Sequence, residues 1–278
     1  MPKKSRSRTK PPVDDITWAV APSPHEKVAA KKTAARNSGP AGVAGENAAA
    51  FRAAARFVRG GQGADRRDAQ RPERREREQA RIAEWALAEG RLIHDADLEA
   101  IPILSNSTSE HEVRYPTPGG RVVKKTWPGF YGQIPVWREG RVEREGALPS
   151  EYLDRQALQN EVFGSDLRLD GVNVSARPSM IIGERGGQPS FVVSQRFISA
   201  ADSRFPKPTA TAIAAFFEAH GFEPLPRSYF GWVRAADGVV VLDARPDNFV
   251  FAAESVIPID LQMAVVPPLV RVIAAPKS

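Results

Sequence analysis

The chain has 278 residues and a mass of 30.3 kDa, with 42% apolar and 26% charged residues, ordinary values for a protein with a packed core. Cysteine is absent, which excludes disulfides, thiolate metal sites and cysteine nucleophiles, and the four histidines show no metal-ligand spacing. No apolar run of about eighteen residues is present, so the sequence predicts no membrane span; the leading MPKKSRSRTKPP lacks the apolar stretch of a secretory signal, which points to the cytoplasm.

The formal net charge of +6 is unevenly spread. Residues 1–83 hold 19 Lys and Arg against 9 Asp and Glu, while the remainder hold 20 against 24. Residues 1–71 therefore read as a basic, largely disordered tail, interrupted by Pro11, Pro12, Pro22 and Pro24 and rich in Ala, Gly and Lys. Such a tail serves as a solubilising tether or makes weak contacts with nucleic acid by neutralising phosphates. Within it, Phe51, Ala54, Ala55 and Val58 have helical spacing and Gly60-Gly61 follows, the pattern of a short conditional helix.

The folded part is expected from Pro72. PERREREQARIAEWALAEG predicts a helix with Ile82, Trp85 and Ala86 inward and the Arg74–Glu78 pair on its wet face. EHEVRY and RVVKKT flank PTPGG and predict a hairpin. LPSEYLDRQALQNEVFG predicts a helix with Leu148, Tyr152, Leu153, Ala157, Leu158 and Phe163 inward, ended by Gly164. SMIIGE and SFVVSQRFI around RGGQP predict a second hairpin, and PTATAIAAFFEAHG a helix stopped by Gly221. YFGWV, VVVLDA, NFVFA and VIPIDL follow as short strands. The order is that of an α+β fold rather than of repeating βαβ units.

The stretch that carries chemistry runs from Val240 to Val250, followed by Val256 to Leu261. Two apolar strands bracket a polar loop in which Asp243 and Asn248 sit five apart, with Pro246 between them. Asp260 ends the following strand. Two carboxylates and an amide oxygen are hard ligands suited to Mg2+. A structural Asx-type turn also accounts for Asp, Asn and Pro at these places.

Asp243-Ala-Arg245-Pro-Asp-Asn248 resembles the catalytic loop of protein kinases and kinase-like phosphotransferases, and Ile259-Asp260-Leu261 resembles the metal-binding acid that follows it in aminoglycoside phosphotransferases. More closely, residues of about 75–262 resemble the small kinase-like domain of bacterial and phage polyvalent proteins. That match rests on Ser109-Glu110-His111, Val122-Val123-Lys124, Thr126 to Gly129, Glu151 to Arg155, Asn160 to Gly164 and the Asp243 loop. It implies a compact two-lobed protein-kinase-like fold, with residues 72–200 as leading helix and β-rich lobe and 201–278 as a reduced C-terminal lobe. It implies ATP and Mg2+ as cofactors and a hydroxyl-bearing acceptor, a protein side chain or a small molecule. Asp243 would then act on the acceptor hydroxyl, with Arg245 pairing a phosphate or an acid. Asn248 and Asp260 would hold the metal, and Lys124 or its neighbour Lys125 the phosphates. The helix would lend the lysine an acid, Glu161 in preference to Glu151. Ser107 and Ser109 would cover the phosphates where a glycine-rich loop is usual, and SQRFIS would link the lobes. Two other readings remain: a catalytically degenerate member acting as an interaction module, and, from the basic charge of residues 1–71, a nucleic-acid-associated protein acting through its tail.

Overall fold

In the computed structural model, residues 41–60, 71–105, 110–175, 187–198 and 207–266 are described. The Phe51, Ala54, Ala55 and Val58 stripe lies on a helix, α1 (Ala41–Arg59), and all four side chains are buried. This corrects the disordered-tail expectation for residues 41–59. Small alanines on the apolar face let α1 pack closely on the later helix α4 (Pro149–Phe163), and its arginines are absorbed by that helix's acids. Arg52 pairs with Asp154 at 2.8 Å and with Glu161 at 2.8 Å, and Arg59 pairs with Asp154. The basic charge here belongs to the packed structure, so folded chain begins by residue 41 rather than 72. Residues 1–40 and 61–70 lie outside the described residues.

The helix α2 (Arg71–Ala88) buries Ile82, Trp85 and Ala86 as its period predicts. Its Arg74–Glu78 pair is not on a wet face, however. Glu78 is buried and accepts from the backbone N–H of Ser150 at 2.9 Å, thereby capping the first turn of α4. Pro149 opens α4 and Gly164, at φ 62°, closes it in the left-handed conformation that a residue with a Cβ resists.

A six-stranded sheet lies against these helices. It is built from β1 (Leu92–Ile93), β2 (Ile103–Ser105), β3 (His111–Arg114), β4 (Arg121–Thr126), β7 (Arg168–Val174) and β8 (Pro189–Arg196) in the order β1-β7-β8-β4-β3-β2. A short helix, α3 (Asp95–Glu99), connects β1 and β2. The β3–β4 hairpin is as expected. The strand β8 pairs with β7, from Arg168 opposite Ser194 to Val174 opposite Pro189; the expected partner, residues 179–184, lies outside the described residues. The hairpin β5 (Gln133–Arg138) and β6 (Arg141–Gly146) turns at Glu139 and Gly140, at φ 46° and 80°, the paired positive values a tight two-residue hairpin turn needs.

The helix α5 (Ala210–Ala219) starts at Thr209, whose side chain accepts from the N–H of Ala212, and ends before Gly221. Four strands, β9 (Glu223–Pro224), β10 (Trp232–Arg234), β11 (Val239–Leu242) and β14 (Gln262–Val265), form a sheet in the order β14-β11-β10-β9. The hairpin β12 (Phe249–Ala252) and β13 (Ser255–Pro258) is inserted between β11 and β14.

Among the described residues four apolar clusters result, two of them large. One gathers Phe51, Val58, Ile82, Tyr152, Leu153 and Phe191; the other gathers Phe163, Phe216, Phe217, Trp232, Phe249 and Met263. The α4 helix contributes to both. The fold is mixed α+β, and no described helix is long and apolar enough to cross a membrane.

Candidate functional site

The strand β11 delivers Asp243 at φ 60°, a left-handed conformation in which Asp is one of the few tolerated residues. Backbone bonds then fold the chain back. Arg245 N–H donates to the Asp243 carbonyl at 2.8 Å, and Asn248 N–H donates to the Arg245 carbonyl at 2.9 Å through the 3-10 turn Pro246–Asn248. The Asn248 amide donates both its hydrogens to Asp243, to the carbonyl at 2.6 Å and to Oδ2 at 2.9 Å. The atom Asn248 can offer a cation is therefore Oδ1. Arg245 Nε stands 2.9 Å from Asp243 Oδ1, and Arg144, from β6, reaches the same oxygen at 3.3 Å.

The β12–β13 hairpin brings the next acid back to this loop. Phe249 pairs with Pro258, and one step further the Ile259 N–H donates to the Asn248 carbonyl at 2.9 Å. Asp260 follows directly, with 32% of its side chain accessible. Lys124 approaches from β4 of the other sheet. Its ammonium donates to the Ile259 carbonyl and, at 3.4 Å, to Gln195 Oε1. Strand alternation separates the two lysines: Lys124 is buried on the Asp260 side, whereas Lys125 turns away to Glu112 at 3.8 Å. Lys125 therefore lies on the face of β4 away from the Asp260 segment.

Charge in this region is tightly interlocked. Burial holds the Lys124 amine below its ordinary value, and the charge of Asp260 offsets part of that effect. Burial pushes the Asp260 carboxyl upward, but the His111 ring, Lys124 and Arg155 together outweigh it and hold Asp260 well below the usual carboxylate range. His111 Nδ1 is 3.7 Å from Asp260 Oδ2, and its Nε2 is 3.1 Å from the Tyr152 hydroxyl. Behind them, Arg155 of α4 makes a two-pronged pair with Glu110 at 2.7 and 3.1 Å. Glu110 also accepts from Gln133 N–H at 2.9 Å and lies so close to Gly132 that a Cβ there would fall 2.2 Å from its carboxylate.

Glu110, His111 and Asp260 each offer a ligand atom within 4.8 Å of the others. Both Glu110 oxygens accept from Arg155, which leaves Asp260 the more open of the two carboxylates.

Of the sequence-predicted residues, Asp243, Arg245 and Asn248 meet in one loop, and Lys124 bonds the Ile259 carbonyl next to Asp260 at the hairpin's foot. Glu161 does not meet Lys124: its carboxylate pairs with Arg52 of α1, and Glu151 pairs with Arg71 at 2.8 Å. The expected lysine–helix acid pair is corrected accordingly, because α1 and α2 take up the acids of α4. Ser107 and Ser109 lie outside the described residues.

Sequence reasoning missed Arg144 and the roles of Glu110, His111 and Arg155. The readable signal was Arg155, which sits three residues after inward Tyr152 and three before inward Leu158, where a cation demands a partner. No protein-family model, curated protein or solved structure matches this chain.

Proposed function

We propose that the protein is a kinase-like phosphotransferase that moves the γ-phosphoryl group of ATP, with Mg2+, to a hydroxyl. The observation that carries this reading is the meeting of Lys124, from one sheet, with the Ile259-Asp260 segment that also holds the Asp243–Asn248 loop by a backbone bond. The chain order is compatible with it: a strand lysine, a hairpin, a helix, two strands, a second helix, three short strands, a loop with Asp and Asn five apart, a hairpin, then an acid. In this reading the six-stranded sheet with α4 forms one lobe, and α5 with the later strands forms the other.

Lys124 is suited to an anion, being a buried amine whose present partners are two neutral oxygens and the nearby Asp260 charge. Asp260 and Asn248 Oδ1 would hold Mg2+, whose charge would neutralise the nucleotide phosphates. Asp243 orients the acceptor hydroxyl and takes its proton. The hydroxyl oxygen forms a bond to the γ-phosphorus while the bond to the β–γ bridging oxygen breaks, and ADP leaves with that electron pair. Arg155 and Glu110 take no direct part; they fix His111 and Asp260 from behind.

A second reading is favoured by one feature. Both Asp243 oxygens are already held by Arg144, Arg245 and Asn248, an arrangement that also fits a protein that binds nucleotide without transferring phosphate. Calorimetry and turnover separate the two. Mg·ATP binding should weaken about tenfold or more in Lys124→Met and Asp260→Asn, since each loses a charge-assisted contact. Asp243→Asn should bind ATP as the wild type does and lose about a hundredfold or more in turnover. Binding indifferent to both Lys124→Met and Asp260→Asn refutes the site. Normal binding with no turnover in the wild type selects the second reading.

A further inference from the structure

Beside Asp243 lies a cavity of about 1040 Å3, at the upper end of the range of small-molecule sites. One wall is the β5–β6 hairpin, and the other is the loop of residues 225–230 with β10 and β11. Trp137, Val142, Leu225, Val233 and Leu242 give it an apolar floor. Its charged lining is Arg141, Arg144 and Arg227, and no acidic residue among the described residues lines it. Arg227 is exposed, sits at φ 64°, and has no hydrogen-bond or ion-pair partner among the described residues. Tyr229, 90% exposed, stands next to it.

The cavity is joined to the reactive loop by three links. Leu242 in its floor precedes Asp243, the Phe230 carbonyl accepts from Ala244 N–H at 3.0 Å, and Arg144 lines the cavity while touching Asp243 at 3.3 Å. An anion binding Arg144 from the cavity would compete with Asp243 for it and leave that carboxylate freer to face a hydroxyl.

We propose that this cavity is the acceptor subsite, and that the acceptor is a small molecule with a flat apolar body, a hydroxyl and an anionic group. The apolar floor receives the body, Arg227 and Arg144 receive the anion, and the hydroxyl faces Asp243. This deepens the phosphotransferase reading and rests on it. The anionic group is a carboxylate or a phosphate monoester, both of which suit a guanidinium fork.

The test uses the full chain and two fluorescent probes, 8-anilinonaphthalene-1-sulfonate, which has an apolar body and an anion, and its neutral relative N-phenyl-1-naphthylamine. The sulfonate should bind saturably at one site, and Arg227→Gln should weaken it roughly five- to tenfold while leaving the neutral probe's affinity unchanged. Arg227 is exposed, so this variant keeps the fold; Val142→Trp, which fills the floor, should weaken both probes. Displacement by phenyl phosphate but not phenylacetate assigns a phosphate, and the converse assigns a carboxylate. Displacement by neither, or equal loss of both probes in Arg227→Gln, overturns the subsite. Mg·ATP binding is measured on the same samples. Intact Mg·ATP binding with no anionic preference refutes the cavity alone. Failed Mg·ATP binding with normal displacement refutes the acceptor role through the parent reading.

Discussion

Arg155 is among the largest side chains that the fold encloses completely, and its guanidinium is tolerated only because Glu110 faces it with both oxygens. Burial opposes its charge, yet Glu110 more than compensates and raises the arginine above its ordinary value. Removing either partner alone strands a charge in the interior. Glu110→Gln and Arg155→Met are each expected to cost about 3–5 kcal/mol, whereas the double variant should cost much less than their sum. Urea denaturation of the four proteins checks this, and additive losses would show that the two residues act independently. The same residues mark where sequence reading ran out. Asp243, Asn248, Asp260 and Lys124 stand out in the sequence because their spacing resembles that of kinase-like phosphotransferases. Glu110 and Arg155 are 45 positions apart and become partners only through the docking of α4 on β3, which no local pattern records. Glu161 was misassigned for the matching reason: its partner, Arg52, sits 109 positions earlier, in a segment that composition marked as unfolded.

At the scale of elements, legibility followed the strength of the apolar period. The period of α4 gave its inward face correctly, and every expected residue on that face is buried. The β5–β6 hairpin escaped because QIPVWREGRVEREG alternates arginines and glutamates over a weak apolar stripe and reads as a charged loop. In α1 the apolar period was visible but was outweighed by the basic composition around it. Phe51 is fully buried in the first cluster, so Phe51→Ala should destabilise the protein by about 3–5 kcal/mol. Arg52→Ala, on the half-exposed rim of the same helix, should cost less than about 1 kcal/mol. Thermal or chemical denaturation of both variants decides whether α1 belongs to the core; no effect of Phe51→Ala would return it to the tail.

Across the whole molecule, α4 is the shared wall. Tyr152, Leu153 and Ala157 serve the first cluster and Leu158 and Phe163 the second, on a single helix of 15 residues. A rigid element common to two cores couples their stabilities. Phe163→Ala should therefore lower hydrogen-exchange protection not only at Val240 and Val241 of β11 but also at Val192 and Val193 of β8. Protection lost only in β11 would mean that the two cores open independently. The α+β content was readable from the order of periodic segments, but this sharing was not. It depends on which side of α4 each later strand reaches, a matter of connection geometry rather than of residue type.

The Lys124 ammonium stitches the six-stranded sheet to the backbone at Ile259. In the phosphotransferase reading, a phosphate at that ammonium would take its third hydrogen and pull on the two held by the Ile259 carbonyl and Gln195 Oε1. An anion that drew the ammonium toward itself would slacken the seam beside Asp260, and a mutation that slackened the seam beforehand would tighten anion capture to the same degree, because the two equilibria are linked through one ammonium. In that reading the lysine would be a clasp whose hold is linked to loading.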